Sequence, residues 1–241
     1  MKISVVVPAY NEEKLLGESL RCIRRAQGAF LEAHWETELI VCDNNSTDLT
    51  AELARAEGAR VVFEPVNQIS RARNRGAAAA VGDWLLFIDA DSYPSVALFA
   101  DTIEAIETGR YLGGGATVVM NTHMVWARAS LRLWNALSRI RRWAAGSFVF
   151  CETAAFRALG GFSEALFISE EIDFSARLKR HARSRGKRVT ILFRHPLQTS
   201  PRKLHLYSPW EYGRLLWRAG RQGKRFFQDR ANCAPWYDGR R

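Results

Sequence analysis

Residues 84–92 read WLLFIDADS, an apolar run that ends in two aspartates one residue apart. Five consecutive bulky apolar residues are typical of a strand buried on both faces, as in a parallel sheet covered by helices. Asp89 and Asp91 offer hard carboxylate oxygens that can hold Mg²⁺ or Mn²⁺, and such an ion can bind diphosphate oxygens in turn. A lone pair of this kind is usually a solvated turn, but its place behind a buried strand favours a functional site.

Similar apolar runs recur along the chain and alternate with helical patterns. The predicted strands are residues 3–7, 38–42, 60–63, 84–88, 111–120, 147–151 and 188–193. The predicted helices are residues 12–26, 50–57, 69–81, 95–107, 125–145 and 170–183. This alternation with short connections predicts an α/β fold with a parallel sheet.

The composition is that of an ordinary folded protein. Of the 241 residues, 47% are hydrophobic and 25% are charged, which excludes a disordered or collagen-like chain. This length corresponds to one or two domains. The chain carries 35 Lys and Arg against 25 Asp and Glu, a net charge of +10. We therefore expect an anionic partner, which is either nucleic acid, acidic lipid or a phosphorylated ligand.

The cysteines and the apolar runs bear on compartment and membrane insertion. Four cysteines are present, with no CxxC spacing among them: Cys22, Cys42, Cys151 and Cys233. We therefore predict reduced thiols in the cytosol, without a zinc site or a disulfide framework. The apolar run at residues 3–7 stops at Pro8, which does not fit a signal peptide. No apolar window approaches the roughly 18 residues of a membrane-spanning helix, so none is predicted.

Polar clusters follow three of the predicted strands. They read PAYNEE at residues 8–13, DNNSTD at 43–48 and DAD at 89–91. Because the carboxyl ends of parallel strands meet at one edge, we expect these clusters to lie together there. The edge would gather several carboxylates and the ring of Tyr10.

Five blocks in order give the sequence a family resemblance. They are VVVPAYNEE (5–13), IVCDNNSTDLT (40–50), SRARNRGAAAAVGDWLLFIDADS (70–92), ALGGFSE (158–164) and SEEIDFSARLKR (169–180). Together they resemble a glycosyltransferase family 2 enzyme of the GT-A fold, over residues 5 to about 180. The resemblance implies a Rossmann-like α/β fold with a mixed, mostly parallel sheet flanked by helices. It also implies a GT-A catalytic domain at 1–205, with a nucleotide-binding part to about residue 93, followed by a basic, aromatic extension at 206–241.

The resemblance implies contacts for individual residues. Those expected to bind the nucleotide sugar are Pro8, Ala9, Tyr10, Glu12, Asp43, Arg73, Asp89, Ala90, Asp91 and Arg202. The segment from Pro8 to Glu12 would line the base and ribose pocket, and Asp43 would accept a hydrogen bond from the base. Asp91 would be the main metal ligand, and Asp89 would contact either the ribose or the metal. Asn44 stands where the family often has a second acidic residue, so the resemblance does not identify the base of the nucleotide.

Glu170 and Glu171 occupy the position of the family's acidic motif. Acidic residues are common at helix starts, where the dipole favours anions, and Ser169 is the predicted N-cap. The match of residues 170–174 to the motif nevertheless favours a catalytic role. Glu171 matches the catalytic base, where most relatives have Asp, and Glu170 is the alternative base.

Weaker signals surround these blocks. Gly160 and Gly161 fit either a plain turn or close approach to a bound sugar, and the Gly146-Ser147 pair is a candidate acceptor contact. Arg202 or Lys203 would pair with phosphate. His205 is the candidate third metal ligand, with His195 as its competitor.

The predicted helix at 125–145 has two stripes. One is apolar: Leu133, Trp134, Leu137, Ile140 and Ala144. The other is basic: Arg128, Arg132, Arg139 and Arg142. The expected arrangement is a core helix with a solvated basic face. The alternative is an amphipathic helix on anionic lipid, with Trp126, Trp134 and Trp143 near the interface, supported by the aromatic and basic tail from residue 209 onward.

The sequence thus predicts an enzyme. It would be a Mg²⁺- or Mn²⁺-dependent, inverting glycosyltransferase that moves a sugar from a nucleotide diphosphate to an acceptor hydroxyl. The acceptor would be lipid-linked or membrane-proximal, and the protein cytoplasmic, at the inner face of the membrane. One competing interpretation is a non-catalytic membrane-surface protein with the same fold. A nucleic-acid-binding module is less favoured, because no such module is recognisable and the acidic strand ends would repel phosphate.

Overall fold

A computed structural model describes residues 1–202, 210, 214, 218, 221 and 223–233. Its strands are β1 (Lys2–Ala9), β2 (Glu36–Asp43), β3 (Arg60–Phe63), β4 (Trp84–Ile88), β5 (Ser92–Tyr93), β6 (Tyr111–Met120), β7 (Phe148–Glu152) and β8 (Arg188–Thr199). In this part of the chain they form one eight-stranded sheet in the order β3-β2-β1-β4-β7-β6-β8-β5.

Helices cover both faces of the sheet. They are α1 (Leu16–Glu32), α2 (Thr50–Ala56), α3 (Ile69–Ala79), α4 (Val96–Glu107), α5 (Val125–Arg141), α6 (Thr153–Ala158), α7 (Glu170–Ser184) and α8 (Lys224–Phe227). A 3₁₀ turn follows at Arg230–Cys233.

The half of the sheet from β3 to β4 is parallel, and the half from β7 to β5 is mixed. β1 pairs in parallel with β2 and with β4, β2 pairs in parallel with β3, and β6 does so with β8. β7 lies antiparallel between β4 and β6. The α/β prediction with a mixed, mostly parallel sheet is therefore confirmed.

The unbroken apolar run of β4 is explained by the two cores that its side chains enter. Leu86 and Ile88 enter a core shared with α1 and α4, whereas Leu85 and Phe87 enter a second core on the opposite face, shared with α3, α6 and α7. All four side chains are fully buried. Because alternate residues of a strand face opposite sides, a strand covered by helices on both sides has no position for a polar residue.

Several predicted boundaries differ from the structure at turns that the apolar pattern does not reveal. The carbonyl of Glu12 accepts hydrogen bonds from the backbone N–H groups of Leu15 and Leu16, so α1 begins at Leu16 and continues to Glu32, not 12–26. The predicted helix at 125–145 ends at Arg141, because Arg142 adopts a left-handed conformation with φ 55°. β5 and α6 were not predicted.

β8 is twice as long as predicted. It extends from the expected 188–193 to Thr199 through a register shift against β6, and its end pairs with β5. The added residues include Arg194 and His195, which bond to Asp101 of α4. Strand pairing here rests on backbone hydrogen bonds and ion pairs, so no apolar run marks it.

The expected burial of the apolar stripe on the helix is wrong for three of its five residues and holds for Trp134 and Ala144. Leu133 and Ile140 are 63% and 77% exposed, and Leu137 is exposed as well. The helix instead buries Ala127 and Ser138 and packs the half-buried Trp134 against the core. The periodicity of a sequence shows where an apolar stripe lies on a helix. It does not show whether the rest of the protein, a partner or a membrane covers that stripe.

The four cysteines are free thiols, as predicted. Burial raises the pKa of Cys42 to about 12 and that of Cys233 to about 11. None of the helices in the described ranges is long and apolar enough to cross a bilayer.

Candidate active site

The first two polar clusters are joined to each other at the ends of β1 and β2. Ala9 pairs with Asp43, and the Ala9 carbonyl accepts a hydrogen bond from Asn44 N at 2.8 Å. The side chain of Asn11 accepts one from Thr47 N at 2.8 Å. β4 lies on the other side of β1 and carries Asp89 and Asp91 to the same edge. The structure thus brings the three clusters together, with Pro8, Tyr10 and Ala90 among them.

Asn44 has a structural task that explains its departure from the family's acidic residue. Its amide nitrogen donates to the carbonyls of Glu64 and Val66 at 3.3 and 2.7 Å, and its amide oxygen accepts from Gln68 N at 2.8 Å. A carboxylate at this position cannot donate to two carbonyls. Asn44 therefore holds the loop before α3 in place.

Arg73 is the junction of the site. It is 1% exposed, and its guanidinium donates to Glu170 at 2.5 Å, to Asp89 at 2.8 Å and to the Gly146 carbonyl at 2.8 Å. Burial opposes its charge, but Asp89, Glu170 and Glu171 together raise the pKa of Arg73. The residue expected to face the donor nucleotide thus links the carboxylates after β4 to those at the start of α7.

Glu170 and Glu171 form a coupled acidic pair at the start of α7. Glu170 is 2% exposed, and burial, followed by the charge of Glu171, raises its pKa to about 8 against the opposing effect of Arg73. Burial also raises the pKa of Glu171, again opposed by Arg73. A carboxylate with a raised pKa is a stronger proton acceptor near neutral pH.

Gly146 lies beside Arg73 and Glu171. A Cβ on Gly146 would lie 3.1 Å from a nitrogen of Arg73 and 3.5 Å from the carboxyl carbon of Glu171, so a side chain there would crowd the guanidinium. A contact between this glycine and the acceptor stays a prediction. Glu171 is also partly exposed, unlike Glu170, so it is the carboxylate of the pair that an acceptor can reach.

The predicted N-cap of α7 is wrong in its conformation. Ser169 precedes the helix but has φ 64°, and within the described residues its side chain makes no capping hydrogen bond. An N-cap normally has extended backbone so that its side chain reaches the first turn. The acidic first turn is instead neutralised by Arg73, and by Arg177, which bonds to Asp173 at 2.7 Å.

Arg202 closes the opposite side of the site. Its guanidinium forms two hydrogen bonds of 2.7 Å to the Glu12 carboxylate and lies 3.6 Å from an oxygen of Asp91. The backbone of Ser200 donates to the Asp91 carbonyl at 3.0 Å, which fastens the end of β8 to the DxD turn. Three residues expected to bind the nucleotide sugar are thereby brought into one cluster.

The donor atoms fit a divalent cation that substrate completes. Within the described ranges no group of three His, Cys, Asp or Glu could hold a metal ion. Asp89 and Asp91 supply two carboxylates, and Mg²⁺ typically takes one or two carboxylates together with substrate phosphates and water. His195 bonds to Asp101 at 3.1 Å, so the structure gives it a partner on α4. His205 and Lys203 lie outside the described residues.

The Gly160-Gly161 turn packs against α3. Both residues have φ near 70°, and a Cβ on Gly161 would lie 2.6 Å from the side-chain oxygen of Asn74. Asn74 exchanges two hydrogen bonds of 2.9 Å with the backbone of Phe162. Of the two interpretations of these glycines, the plain turn accounts for the contacts.

Sequence reasoning missed several residues that hold the loop before α7. Gln68 donates to the carbonyls of Glu164 and Leu166 at 2.7 and 3.0 Å. Phe226 is fully buried beside Ile168, and the Phe227 carbonyl accepts from Phe167 N at 2.8 Å. In the sequence, the one indication of these contacts is the aromatic content of the tail, which the sequence analysis took as support for membrane binding.

Comparisons with known proteins place this geometry in a family. Residues 4–159 match the sequence profile described as Glycosyl transferase family 2. A dolichol-phosphate mannosyltransferase from Pyrococcus furiosus is 33% identical in an alignment of 131 positions that covers 48% of this chain and 35% of that protein. An undecaprenyl-phosphate 4-deoxy-4-formamido-L-arabinose transferase from Pseudomonas fluorescens is 35% identical in an alignment of 97 positions that covers 37% of this chain and 27% of that protein. The chain thus spans about a third of these relatives' length.

Two solved structures show the fold. Residues 1–349 of S. aureus TarS superpose with a TM-score of 0.64 at 22% identity, covering 86% of this chain and 63% of that one. The mannosyltransferase PcManGT from Pyrobaculum calidifontis, solved with GDP-Man and Mn²⁺, superposes with a TM-score of 0.61 at 20% identity, covering 81% of this chain and 56% of that one.

Proposed function

The chain belongs to glycosyl transferase family 2, and we propose that it is a metal-dependent, inverting enzyme that moves a sugar from a nucleotide diphosphate to a lipid-linked hydroxyl. The observation that carries the proposal is the Arg73 junction. The buried guanidinium of Arg73 bonds to Asp89, which directly follows β4. It also bonds to Glu170, the first residue of the acidic pair at the start of α7. Donor-side and acceptor-side carboxylates are thereby fixed relative to each other.

Asp91 and Asp89 are the proposed ligands of the cation. A bound Mg²⁺ or Mn²⁺ would supply positive charge for the departing nucleoside diphosphate. The GDP-Man and Mn²⁺ bound to PcManGT support this assignment by analogy of fold. The proposed contacts of the nucleotide are the segment from Pro8 to Glu12 and Asp43, and Arg202 is placed to pair with phosphate when it leaves Glu12.

Glu171 is the proposed general base. It accepts the proton of the acceptor hydroxyl while that oxygen forms a bond to the anomeric carbon on the face opposite the leaving group. The bond from the anomeric carbon to the diphosphate oxygen breaks with its electron pair, so the configuration inverts and no sugar is attached to the enzyme. Glu170, held by Arg73, positions Glu171, and the pKa of Glu171 is raised chiefly by burial.

The acceptor class follows from the relatives and the charge. Two curated relatives are named for polyprenyl phosphate substrates, and the net charge of +10 favours an anionic surface. We therefore propose a lipid-linked acceptor met at the cytoplasmic face of a membrane. Residues 1–205 would be the catalytic domain, with the nucleotide part to about residue 93, and residues 206–241 an extension.

A donor panel tests the proposal. The protein is incubated with individual nucleotide sugars, with and without Mn²⁺, and a lipid-linked acceptor that carries free hydroxyl groups, and release of nucleoside diphosphate is measured. We expect one or a few donors to be consumed, only with the cation, and the product to have the opposite anomeric configuration. Donor binding without any transfer or hydrolysis would instead favour a non-catalytic protein with this fold.

A further inference from the structure

Helix α5 turns an apolar stripe outward. On a helix with 3.6 residues per turn, Val125, Leu133, Leu137 and Ile140 fall within an arc of about 120°. Val125 and Ile140 are each 77% exposed. Most of α5 faces away from the protein, since its buried residues are Ala127 and Ser138. An outward apolar arc of this width is costly in water and usually marks an interaction surface.

The inner face of α5 shows that this orientation is fixed. The Asn135 side chain accepts a hydrogen bond from Val118 N at 3.0 Å and donates to the Val118 carbonyl at 2.8 Å, which ties the helix to β6. Leu131 and Trp134, on the same side as Asn135, pack against the core. The helix cannot rotate its apolar stripe inward without breaking these contacts.

Arginines flank the outward stripe. Arg128, Arg132 and Arg139 follow one edge of the arc and Arg141 the other, and all four are exposed. Residues 121–151 contain five arginines and no Asp or Glu. An apolar arc with arginines on both sides is the pattern of a helix that lies in the interface of an anionic membrane.

The surface continues from α5 onto β8. Phe193 is 56% exposed, and the guanidinium of Arg139 lies 4.0 Å from the centre of its ring. Between helix and strand is a groove of about 490 Å³, lined by apolar residues such as Ile140 and Ile191 and by Arg142 and Arg188. The apolar surface and the positive charge therefore cover one continuous face.

We infer that this face, formed by α5 and Phe193, docks the enzyme onto an anionic lipid bilayer. Charge favours lipid over a second copy of the chain, because a symmetric contact would bring the arginine edges of the two copies together. The aliphatic side chains at its centre favour acyl chains over nucleic-acid bases, which stack on aromatic rings.

The docking face is connected directly to the catalytic carboxylates. Only the segment 142–145 separates α5 from Gly146, whose carbonyl accepts the hydrogen bond from Arg73. Within that segment, Ala144 N donates to Ser175 of α7 at 3.1 Å. Membrane docking itself does not depend on the proposed function. Its role in catalysis does, since docking near Glu171 would bring a lipid-linked hydroxyl to that carboxylate.

Cosedimentation with vesicles of equal parts phosphatidylglycerol and phosphatidylcholine tests the inference without donor or acceptor. We expect the double variant Leu133→Ser, Ile140→Ser to bind about tenfold more weakly or worse. Leu31→Ser, Val81→Ser is the matched control, because these residues are similarly exposed on other elements, at 60% and 63%. This control should bind as the wild type does.

Charge is tested in the same assay. Arg128→Gln, Arg132→Gln should weaken binding about tenfold, and added salt should do the same to the wild type. Arg25→Gln, Arg55→Gln is the matched control on other exposed helix positions. The inference would be overturned if the wild type bound neutral and anionic vesicles equally. It would also be overturned if the Leu133 and Ile140 variant bound as tightly as the wild type. Loss of a dimer in the Leu133 and Ile140 variant would overturn it too, because that loss would assign the face to a second copy.

A donor titration separates this failure from failure of the proposed function. The docking variants should bind nucleotide sugar with Mn²⁺ as the wild type does, because none of the changed residues contacts the strand-end clusters in the described structure. Wild-type vesicle binding without donor binding would leave the docking inference standing and contradict the proposed function. Donor binding without vesicle binding would do the opposite.

Discussion

Two arginines hold acidic side chains on opposite sides of the site, in very different surroundings. Arg73 is fully buried at the centre and bonds to three partners on three segments of the chain. Arg202 lies at the rim, partly exposed, and holds Glu12 and Asp91. Since the cost of leaving a charge without its partner grows with burial, and Arg73 is 1% exposed against 16% for Arg202, we assign Arg73 to the architecture of the site and Arg202 to ligand exchange.

The largest expected effect breaks the central junction. Arg73→Met keeps most of the side-chain volume but leaves Glu170 buried without its cation. We expect a loss of about 3 kcal/mol in the free energy of unfolding, measured by urea denaturation. The double variant Arg73→Met, Glu170→Met should recover much of that loss, because it removes both members of the pair. A single variant as stable as the wild type would contradict the assignment of Arg73 to the architecture.

The next effect separates donor binding from folding. Asp91→Ala removes a proposed cation ligand that lies outside the Arg73 junction. Mn²⁺-dependent affinity for the nucleotide sugar should fall by about a hundredfold, while thermal stability changes little. Calorimetry with and without Mn²⁺ measures this directly. Unchanged Mn²⁺-dependent binding would remove Asp91 from the metal site.

A smaller effect is expected at the rim. Arg202→Gln should weaken donor binding by about five- to tenfold, because it removes one charge-assisted contact with diphosphate. The free energy of unfolding should fall less than in Arg73→Met, since Arg202 is 16% exposed against 1% for Arg73, and Gln can still donate a hydrogen bond to Glu12. Destabilisation equal to that of Arg73→Met would erase the distinction between the two arginines.

The smallest expected effect is a change with pH. Below about 8 the Glu170–Glu171 pair retains a proton, since burial and then their mutual repulsion raise the pKa of Glu170. The rate of transfer should therefore rise with pH through this range and then level off. Glu170→Gln removes one carboxyl of the pair and should shift the rise to lower pH. A rate independent of pH from 6 to 9 in the wild type would show that this pair does not supply the base.

The sequence predicted the parallel half of the sheet, from β3 to β4, for a physical reason. Residues 84–88 form a buried strand because two helical layers cover them, and the polar cluster after it was visible in the same nine residues. The clusters after β1 and β2 were equally local. Their convergence followed from the single rule that parallel strands end at one edge.

The rest depended on contacts between distant parts of the chain. Arg73 and Glu170 are 97 residues apart, and nothing in the sequence around either residue shows that the two form a buried ion pair. The apolar stripe of α5 was visible, but whether protein, lipid or water covers it is not encoded in its period. The left-handed Ser169 and the longer β8 likewise depend on tertiary contacts that override local preference.

The central claim is that Glu171 takes the proton of the acceptor hydroxyl, and its most direct test compares transfer with donor binding in one variant. Glu171→Gln keeps the size of the side chain and removes the proton acceptor. We expect transfer to fall by about a hundredfold or more, with donor affinity unchanged, and Glu170→Gln to lose less. Near-normal turnover in Glu171→Gln, measured with the donor that the panel identifies, would contradict the account.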